Sequence, residues 1–351
     1  MINDIDIKET ELYKAYPDAF KRLLRDHSRF RRFKEQNNTM NDEQFEDHVD
    51  DPCNLIIWAT DDYADKGSGY AFFDPITADK IVGDKGMIIR PRCEKSFAEQ
   101  LRRVKDKAEV FTPSWVCNVQ NNLVDEAWFG RKDVFNKEVT DEKGNQTWVT
   151  NTETITEFPK GKTWKDYVRD TRMEITCGEA PYLASRYDTT TGEFIPTHNR
   201  IGLLDRKLRI ISENCDRSSD WLKMAQEAYK HIYGYEWQGD NLLLARESLL
   251  CTFLEFYHDK FGKMPQPKSI DYIAYIISWN IWQMDGLKMV TPESCKQATE
   301  TDLFGEVKKK QCKACEHGEK FGHVGIPCYV KNWSKDKDKQ HILFSTLIVK
   351  S

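Results

Sequence analysis

IYGYEWQGDNLLLARESLL, residues 232–250, is the stretch that decides the fold class. Its start predicts a β-strand that ends in Glu236, and its remainder predicts a helix from about 240 to 260. This order places a carboxylate at the carboxyl-terminal edge of a sheet, where doubly wound folds bind ribose hydroxyls. A solvent-facing glutamate at a strand end is the ordinary alternative.

Further strands and helices alternate around this stretch. RMEITC (172–177) predicts a short strand, SSDWLKMAQEAYK (218–230) a helix, and YIAYIISWNIWQMDGLKMV (272–290) a passage from helix to strand. Such alternation favours a parallel sheet covered by helices. We therefore predict an α/β domain over residues 108–290.

Two inserts interrupt this domain, at about 131–165 and 184–217. The first is polar and contains the turn signal Gly144–Asn145, which predicts an inserted hairpin or a lid. The second includes RIGLLDRKLRII (200–211), which lengthens the connection between the first two predicted strands.

The flanking regions differ from the central domain. Residues 1–107 predict a mixed α+β region with a helix at 9–35 and a strand-like LIIWAT at 55–60. Lysine and arginine dominate residues 20–34, which fits either a solvated helix or a contact with a DNA backbone. Residues 291–351 are rich in lysine and cysteine, and they predict a small separate appendage.

Composition narrows the class of protein. The chain has 351 residues, 39% of them apolar, and no apolar run approaches the roughly 20 residues that a membrane span requires. The amino terminus shows no secretory signal, so ten cysteines indicate buried or metal-binding thiols rather than disulfides. We therefore expect a cytoplasmic protein without a membrane partner. The net charge of −5 by itself argues mildly against nucleic acid.

Two segments upstream of residue 232 are informative, and the second of them has the local geometry of a nucleotide-type ligand site. AEVFTP (108–113) opens a helix, with Thr112 as the N-cap and Pro113 at the first helical position. MEITCGEAPYL (173–183) joins a strand end to a turn in which Gly178 lets the backbone approach a ligand. Taken singly, each is also an ordinary helix start or turn.

A third segment lies downstream. QMDGLK (283–288) follows a buried-looking strand and places Asp285 where it could accept a hydrogen bond from an adenine amine. Asp-Gly is also a common turn, so this segment gains weight only in combination with the others.

In order and spacing, these segments resemble the gamma-class DNA adenine methyltransferases of restriction–modification systems. That family has a TP-containing helix, a segment of the type LDPACGSGAFL, a strand of the type VYGxE with a helix containing AR, and a QxDxL element. AEVFTP, MEITCGEAPYL, IYGYE with LLLAR, and QMDGLK match them in turn over about residues 108–290. The resemblance implies a Rossmann-like fold, S-adenosylmethionine as cofactor and DNA as partner.

The resemblance also implies roles for individual residues. The cofactor contacts would be Phe111, Thr112 and Pro113 at the methionine end, Glu174, Cys177 and Gly178 in the turn, Glu236 at the ribose and Asp285 at the adenine. Ile175 and Ala180 replace the family's usual proline and second glycine, which predicts a tighter or shifted turn.

The chain departs most from this family at the catalytic tetrapeptide, Asn or Asp followed by Pro-Pro and an aromatic residue. That tetrapeptide supplies acceptors for the amine of a flipped adenine and an aromatic face for stacking. The sequence contains no Pro-Pro pair. Tyr182, Asn280 and Trp282 remain as candidates for holding a base, whereas residues 179–182 (EAPY) are typical of a turn.

A cysteine cluster near the carboxyl terminus has the spacing of a metal site. Cys312 and Cys315 form a C-x2-C knuckle, and Cys328 follows, with His317 or His323 between. Thiolates with an imidazole suit tetrahedral zinc. We predict a structural zinc ion on Cys312, Cys315, His323 and Cys328, with buried thiols as the alternative.

These observations lead to two hypotheses of different kinds. The first is an S-adenosylmethionine-dependent DNA adenine methyltransferase, or the methylase subunit of a restriction–modification system. The second is a catalytically inactive methyltransferase-like module that binds the cofactor, DNA or a partner subunit. An unrelated nucleotide-binding enzyme fits less well, since the sequence contains neither G-x-x-x-x-G-K-[ST] nor G-x-G-x-x-G. An α/β domain with ordinary acidic strand ends is the plain alternative.

Overall fold

The computed structural model describes residues 8–29, 54–107, 109–110, 112–302, 305–336 and 339–348. Its α-helices are α1 (Glu9–Ala15), α2 (Pro17–Leu23), α3 (Ala78–Ile81), α4 (Phe97–Lys107), α5 (Ser114–Phe129), α6 (Trp164–Val168), α7 (Leu203–Asn214), α8 (Ser218–Lys230), α9 (Gly239–Phe261), α10 (Pro267–Asn280), α11 (Ser294–Gln297) and α12 (Lys313–His317). Its strands are β1 (Asn136–Thr140), β2 (Gln146–Thr150), β3 (Arg172–Glu174), β4 (Ile232–Glu236), β5 (Ile281–Gln283), β6 (Thr299–Thr301), β7 (Val307–Lys309), β8 (Tyr329–Lys331) and β9 (His341–Leu343). Short 3-10 helices occupy Ala64–Lys66, Gly83–Lys85, Arg92–Glu94, Thr197–Asn199 and Phe344–Thr346.

The central sheet contains three parallel strands in the order β3–β4–β5. Glu174 at the end of β3 is opposite Gly234 of β4, and Glu236 at the end of β4 is opposite Gln283 of β5. Because parallel strands present their carboxyl ends at one edge, both glutamates lie at the same edge of the sheet. The predicted strand that ends in Glu236 and the predicted helix at 218–230 are confirmed.

Helices form the layer next to this sheet. The helices α7 and α8 connect β3 to β4, while α9 and α10 connect β4 to β5, and α8, α9 and α10 all contact β4. Right-handed crossovers between consecutive parallel strands place such helices on one face. Arg246 of α9 is fully buried, and its Nε donates to the carbonyl oxygen of Ile281 at 2.8 Å, which ties α9 to β5.

The carboxyl-terminal region covers side chains on the sheet that the helices leave free. A buried cluster contains Tyr235 of β4 and Trp282 of β5 together with Cys328, Val330 and Phe344. The antiparallel pair β8–β9 belongs to this layer. The region after residue 291 therefore packs on the sheet, whereas the sequence suggested a separate appendage.

The amino-terminal region is less regular than the sequence suggested. The helix expected over 9–35 divides into α1 and α2 at Tyr16, because the residue before a proline disfavours the helical conformation. The strand-like LIIWAT forms only isolated bridges at Leu55 and Ile57. The backbone of Ile57 instead bonds the side-chain amide of Gln283, with an N–H···Oε1 distance of 3.0 Å and an Nε2···O distance of 2.8 Å.

The basic run at 20–34 falls partly on described residues. Arg22 forms an ion pair with Asp271 of α10, and Arg25 is buried. Residues 30–34, which include Arg31, Arg32 and Lys34, lie outside the described residues. The described half of the run therefore contributes to packing inside the molecule.

The first insert contains the predicted hairpin, with β1 and β2 antiparallel around the Gly144–Asn145 turn. Helix α5 precedes the hairpin and is joined to α7 by a buried polar network. Arg206 of α7 donates to Asp125 at 2.6 Å and to Asn118 at 2.9 Å. The connection between β3 and β4 thus fixes α5 against the central domain.

Candidate functional site

A cavity of about 840 Å³ lies at the edge of the sheet where β3 and β4 end. Its size is within the range of small-molecule sites. Five residues predicted to contact a cofactor line it: Thr112, Glu174, Cys177, Gly178 and Glu236. Pro113 and Asp285 are not among its lining residues, and Phe111 lies outside the described residues.

The turn after β3 has an unusual backbone. Thr176 has φ 47°, Gly178 φ 53° and Ala180 φ 61°, so alternate residues adopt the left-handed conformation. For the two residues with a β-carbon this conformation is strained, and surrounding contacts must hold it. Ala180, which replaces the glycine of the resembled family, is thus one of the residues held in the left-handed conformation.

Glu236 supplies the main contact that holds this turn. The amide of Gly178 donates to its Oε2 at 2.9 Å, and the amide of Gln238 donates to its Oε1 at 3.2 Å. Burial raises the pKa of the Glu236 carboxyl, although these amides oppose the shift. The residue predicted to bind ribose therefore also joins the ends of β3 and β4.

Glu174 is the second buried carboxyl group in the cavity wall. The residue is 9% exposed, and burial raises the pKa of its carboxyl group well above the ordinary value, although the amides of Tyr182 and Leu183 oppose the shift. Its Oε2 atom is buried without a hydrogen-bond partner within the described part of the chain. A buried polar atom without a partner is costly, so this oxygen favours a ligand that donates a hydrogen bond or carries positive charge.

The segment before α5 departs from the predicted cap. The helix begins at Ser114, and its first amide is capped by Asp188, whose Oδ2 accepts from Ser114 N at 2.6 Å. Thr112 contributes its carbonyl oxygen, which accepts from Thr189 Oγ1 at 3.2 Å. The cap thus comes from the second insert, and Thr112 is left at the cavity wall.

Asp285 bonds within its own turn. Its Oδ1 accepts from the amide of Leu287 at 3.0 Å, and its Oδ2 lies 3.3 Å from Lys288 Nζ. Gly286 permits the fold, because a β-carbon there would lie 2.7 Å from the Tyr235 ring. The end of β5 therefore does not reach the cavity in the way that the ends of β3 and β4 do.

Buried charges fix the wall that α4 contributes. Arg103 is 1% exposed, and it donates to Asp240 at 2.8 Å and to Glu109 at 2.7 Å. Against the effect of burial, Arg103 and Lys95 lower the pKa of Asp240 to about 2. Because Asp240 lies in the first turn of α9, this ion pair locks α4 to the start of the helix that follows Glu236.

The charged side chains around the cavity are mostly acidic. Five carboxyl groups and one lysine line it: Asp106, Glu109, Glu174, Glu236, Glu293 and Lys105. Glu109 is paired with Arg103 behind the wall. The remaining excess of carboxylates disfavours a phosphate-bearing ligand and favours a cation.

Aromatic side chains complete the wall. Phe72 and Trp237 both line the cavity, and their ring centroids lie 6.5 Å apart at an interplanar angle of 75°. The indole of Trp237 donates to the carbonyl oxygen of Ala59 at 3.1 Å, which fixes its orientation. Flat apolar surfaces of this kind suit a nucleobase.

The three candidates for holding a substrate base lie in different parts of the structure. Asn280 is buried, and its amide donates to the carbonyl oxygens of Tyr229 and Ile232 at 2.9 and 3.0 Å. Trp282 is buried in the layer formed with the carboxyl-terminal region. Tyr182 alone among the three lines the cavity.

A second site lies in the carboxyl-terminal region. Cys295, Cys312, Cys315 and His323 place their ligand atoms within 4.8 Å of one another. His323 Nδ1 lies 3.8, 3.6 and 3.4 Å from the three sulfurs in that order. Bond lengths of about 2.3 Å to sulfur and about 2.0 Å to nitrogen give tetrahedral S···N edges of roughly 3.5 Å. This Cys3His cluster could therefore hold a structural metal ion such as zinc.

The surroundings of the cluster favour the same conclusion. His323 Nε2 lies 2.9 Å from the carbonyl oxygen of Glu319, a contact that requires the proton on Nε2 and leaves Nδ1 free for a metal. Although burial opposes the shift, the amides of Val324 and Cys315 lower the pKa of the Cys312 thiol to about 6. Burial raises the pKa of Cys295 to about 12, so metal binding would displace its proton.

The prediction that Cys328 is a metal ligand is wrong, and Cys295 is the fourth member of the cluster instead. Cys328 is fully buried beneath the sheet, where its Sγ donates to the carbonyl oxygen of Gln283 at 3.6 Å. Cys295 is the nearest cysteine before the Cys312–Cys315 pair, and that position was the available sequence signal. The predicted ligands Cys312, Cys315 and His323 are brought together.

The sequence matches no protein-family model, and comparison with curated proteins and with solved structures found no match. None of the helices in the described part of the chain combines the length and apolar character needed to cross a membrane. The chemistry of the cavity and the cluster is therefore the basis for a functional interpretation.

Proposed function

We propose that the cavity binds S-adenosylmethionine and that the chain acts as an S-adenosylmethionine-dependent methyltransferase on adenine in DNA. The acidic lining of a nucleotide-sized cavity at the strand ends carries this proposal. S-adenosylmethionine carries two positive groups, a sulfonium and an ammonium, and one carboxylate. Its net positive charge therefore suits a cavity with an excess of carboxylates. Phosphate-bearing nucleotides would be repelled.

The lining offers a partner for each part of this cofactor. Glu236 would accept from the ribose hydroxyls while it retains the Gly178 amide. The free oxygen of Glu174 would accept from the ammonium group, and Phe72 with Trp237 would flank the adenine. Asp285, which bonds its own turn, is left out of this assignment.

When bound, the cofactor supplies an electrophilic methyl group. The chain's own part is to hold the acceptor amine in line and to exclude water, because direct transfer to nitrogen gains most from proximity and orientation. Tyr182 at the cavity wall offers an aromatic face and a hydroxyl for that role. DNA as the substrate follows from the resemblance in sequence.

One observation supports the alternative, a cofactor-binding module whose methyl transfer occurs on a partner subunit. Asn280 and Trp282, two of the three candidates for holding a base, are buried in packing roles. On this alternative the chain would bind S-adenosylmethionine but would not methylate DNA alone.

The first test is a calorimetric titration with a series of ligands that differ in charge. S-adenosylmethionine should bind, S-adenosylhomocysteine should bind roughly tenfold more weakly because it lacks the sulfonium charge, and ATP should not bind. Glu236→Gln should weaken S-adenosylmethionine by roughly ten- to a hundredfold. Equal binding of ATP would refute the argument from charge, and no binding of S-adenosylmethionine would refute the proposal.

The second test separates the two functions. Transfer of tritium-labelled methyl groups to unmethylated DNA should require no other subunit if the chain is the catalyst. Incorporation only after a cell extract is added would favour the binding module. Tyr182→Phe should retain cofactor binding. A loss of transfer in this variant with unchanged cofactor affinity would show that the hydroxyl, which contacts Thr112 and Cys117, is needed for the transfer step.

A further inference from the structure

The cavity and the metal cluster meet at one short segment. Glu293 lines the cavity, and Cys295 is one of the four ligands of the cluster. Both belong to the chain that leads from β5 into α11. A change in the position of Cys295 must therefore move Glu293 or strain Ser294, the single residue between them.

This segment is held in a costly conformation. Met289 has φ 58° and Glu293 has φ 53°, both in the left-handed region that residues with a β-carbon avoid. Each such residue costs on the order of 1 kcal/mol or more, so the surrounding contacts must compensate. A segment of this kind adopts one conformation only while those contacts remain.

The compensating contacts come from the stretch that leads away from His323. The amide of Thr291 donates to the carbonyl oxygen of Ile326 at 2.9 Å, and the amide of Ile326 donates to Ser294 Oγ at 3.0 Å. Gly325 allows the close approach, because a β-carbon there would lie 3.0 Å from Cys295 Sγ. Further backbone bonds hold the segment nearer β5, among them the amide of Cys328 to the carbonyl oxygen of Met289 at 3.1 Å. The four metal ligands would add a further constraint directly beside Glu293.

We infer that a zinc ion on Cys295, Cys312, Cys315 and His323 fixes Glu293 against the cavity and thereby raises the affinity for the cationic ligand. The identity of that ligand rests on the function proposed above. The ion ties three separate pieces of chain, α11, α12 and the residues around His323, into one unit. The cluster thus lies next to the wall of the ligand cavity and is joined to it through Glu293.

Glu293 is suited to transmit this effect. Its carboxylate lies 2.6 Å from Lys296 Nζ, but that lysine side chain is 68% exposed, so the pair contributes little energy. The carboxylate therefore remains available to a cation that enters the cavity. Without the metal, the left-handed backbone at Glu293 would relax and the carboxylate would leave the wall.

The first part of the experiment tests the ligand set with zinc alone. Purified wild-type protein and Cys328→Ser should each contain about one equivalent of zinc, and Cys295→Ser should lose most of it. The two variants form a matched pair, because both replace a buried cysteine of the same region with serine. Wild-type protein without zinc, or zinc that is lost from Cys328→Ser and retained by Cys295→Ser, would overturn the inference.

The second part of the experiment measures, without any cofactor, how firmly zinc holds the segment of the cavity wall around Glu293. Hydrogen exchange of the amides in residues 289–297 should slow roughly tenfold or more when chelated protein is reloaded with zinc. The melting curve of the chelated protein shows whether it is still folded during the measurement. Equal exchange in folded protein with and without zinc would overturn the inference, whatever the cofactor does.

The third part measures the coupling to the ligand. Removal of zinc should lower the affinity for S-adenosylmethionine roughly tenfold, and reloading with zinc should restore it. Glu293→Gln should retain zinc, should bind S-adenosylmethionine at about the affinity of the chelated protein, and should not respond to chelation. These results would support a path through Glu293, because the effects of metal removal and of the substitution would not add.

The outcomes separate this inference from the proposed function. Equal affinity with and without zinc overturns the coupling and leaves the proposed function standing. No binding of S-adenosylmethionine in either state overturns the proposed function together with the ligand half of the inference. In that case, the hydrogen exchange of residues 289–297 remains the test of whether zinc fixes the cavity wall.

Discussion

The ligand cavity and the metal cluster are neighbouring sites that are held in place by different means. Around the cavity, Glu174 and Glu236 end the strands β3 and β4, and buried bonds such as Arg103 to Asp240 and Gly178 to Glu236 hold the wall. In the cluster, the ligand atoms come from loops and one-turn helices. A metal ion can hold irregular chain of this kind, because one ion replaces many weaker contacts.

This difference has a consequence for stability. The cavity wall should depend on its buried charges and persist when zinc is removed, apart from the piece at Glu293. The cluster should depend on the metal and be indifferent to those charges. The predictions below test the contrast, beginning with the largest expected effect.

The Arg103→Gln variant should lose about 3–5 kcal/mol in free energy of unfolding, because it leaves Asp240 and Glu109 buried without their main cation. Urea unfolding in the presence of zinc measures this loss. The zinc content of the folded variant should be unchanged.

Arg102→Gln is the matched control for this prediction. Arg102 is the preceding residue on α4, and its side chain is 50% exposed and pairs with Asp62 at 3.3 Å. Its loss should cost less than about 1 kcal/mol. Similar losses in both variants would show that the wall does not depend on the buried ion pair.

The same difference explains what the sequence predicted. Glu174 and Glu236 could be placed at one edge because each ends a short strand with recognisable flanks, and the register of parallel strands brings such residues together. The position of Cys295 before the Cys312–Cys315 pair did not by itself select it over Cys328, because the place of each depends on how irregular chain folds back. The cap of α5 was missed for the same reason, since Asp188 reaches it from a distant insert.

Asp285 marks the limit of reasoning from strand ends. Its pattern in the sequence resembles that of Glu236, yet its carboxylate bonds Leu287 and Lys288 of its own turn. Whether an acidic residue faces a ligand or its own turn depends on local backbone geometry. A single sequence does not encode that choice in its spacing.

The ends of β3 and β5 should therefore respond differently to substitution. Glu174→Gln should weaken S-adenosylmethionine by roughly ten- to a hundredfold, because a buried charged partner is lost. Asp285→Asn, which removes the same charge at the other strand end, should change the affinity less than about twofold. Calorimetric titration of both variants measures the difference. A larger loss of affinity in Asp285→Asn would show that Asp285 binds the adenine, as the sequence predicted.

Acidification should lower the affinity for S-adenosylmethionine before it disturbs the fold of the cavity. Burial raises the pKa of both Glu174 and Glu236 above the ordinary 4.5, and Glu236 adds to the shift at Glu174. A cation prefers the ionised carboxylates, so the bound state holds fewer protons than the free state. Affinity should be full above these raised pKa values, and below them it should fall roughly tenfold per pH unit for each of the two carboxyl groups that becomes protonated.

The control for this prediction separates the cavity from the cluster. Thiolates also take up protons on acidification and release zinc, so the zinc content must be measured at each pH. In Glu174→Gln the dependence of affinity on pH should become shallower while zinc is retained. A dependence that is unchanged in this variant and follows zinc loss would assign the effect to the cluster.

The smallest expected effect concerns the strained turn that Glu236 holds. Ala180 is fully buried at φ 61°, a conformation that glycine adopts without strain. In Ala180→Gly the relief of about 1 kcal/mol should offset the loss of a buried methyl group, about 0.8 kcal/mol, so that stability changes little. Ala245→Gly, at an equally buried position inside α9, should instead cost about 2 kcal/mol from helix propensity and the lost methyl group together. Urea unfolding of the pair measures this difference. Equal losses would show that the turn is relaxed, and the bond from Gly178 to Glu236 would then shape the cavity without having to overcome backbone strain.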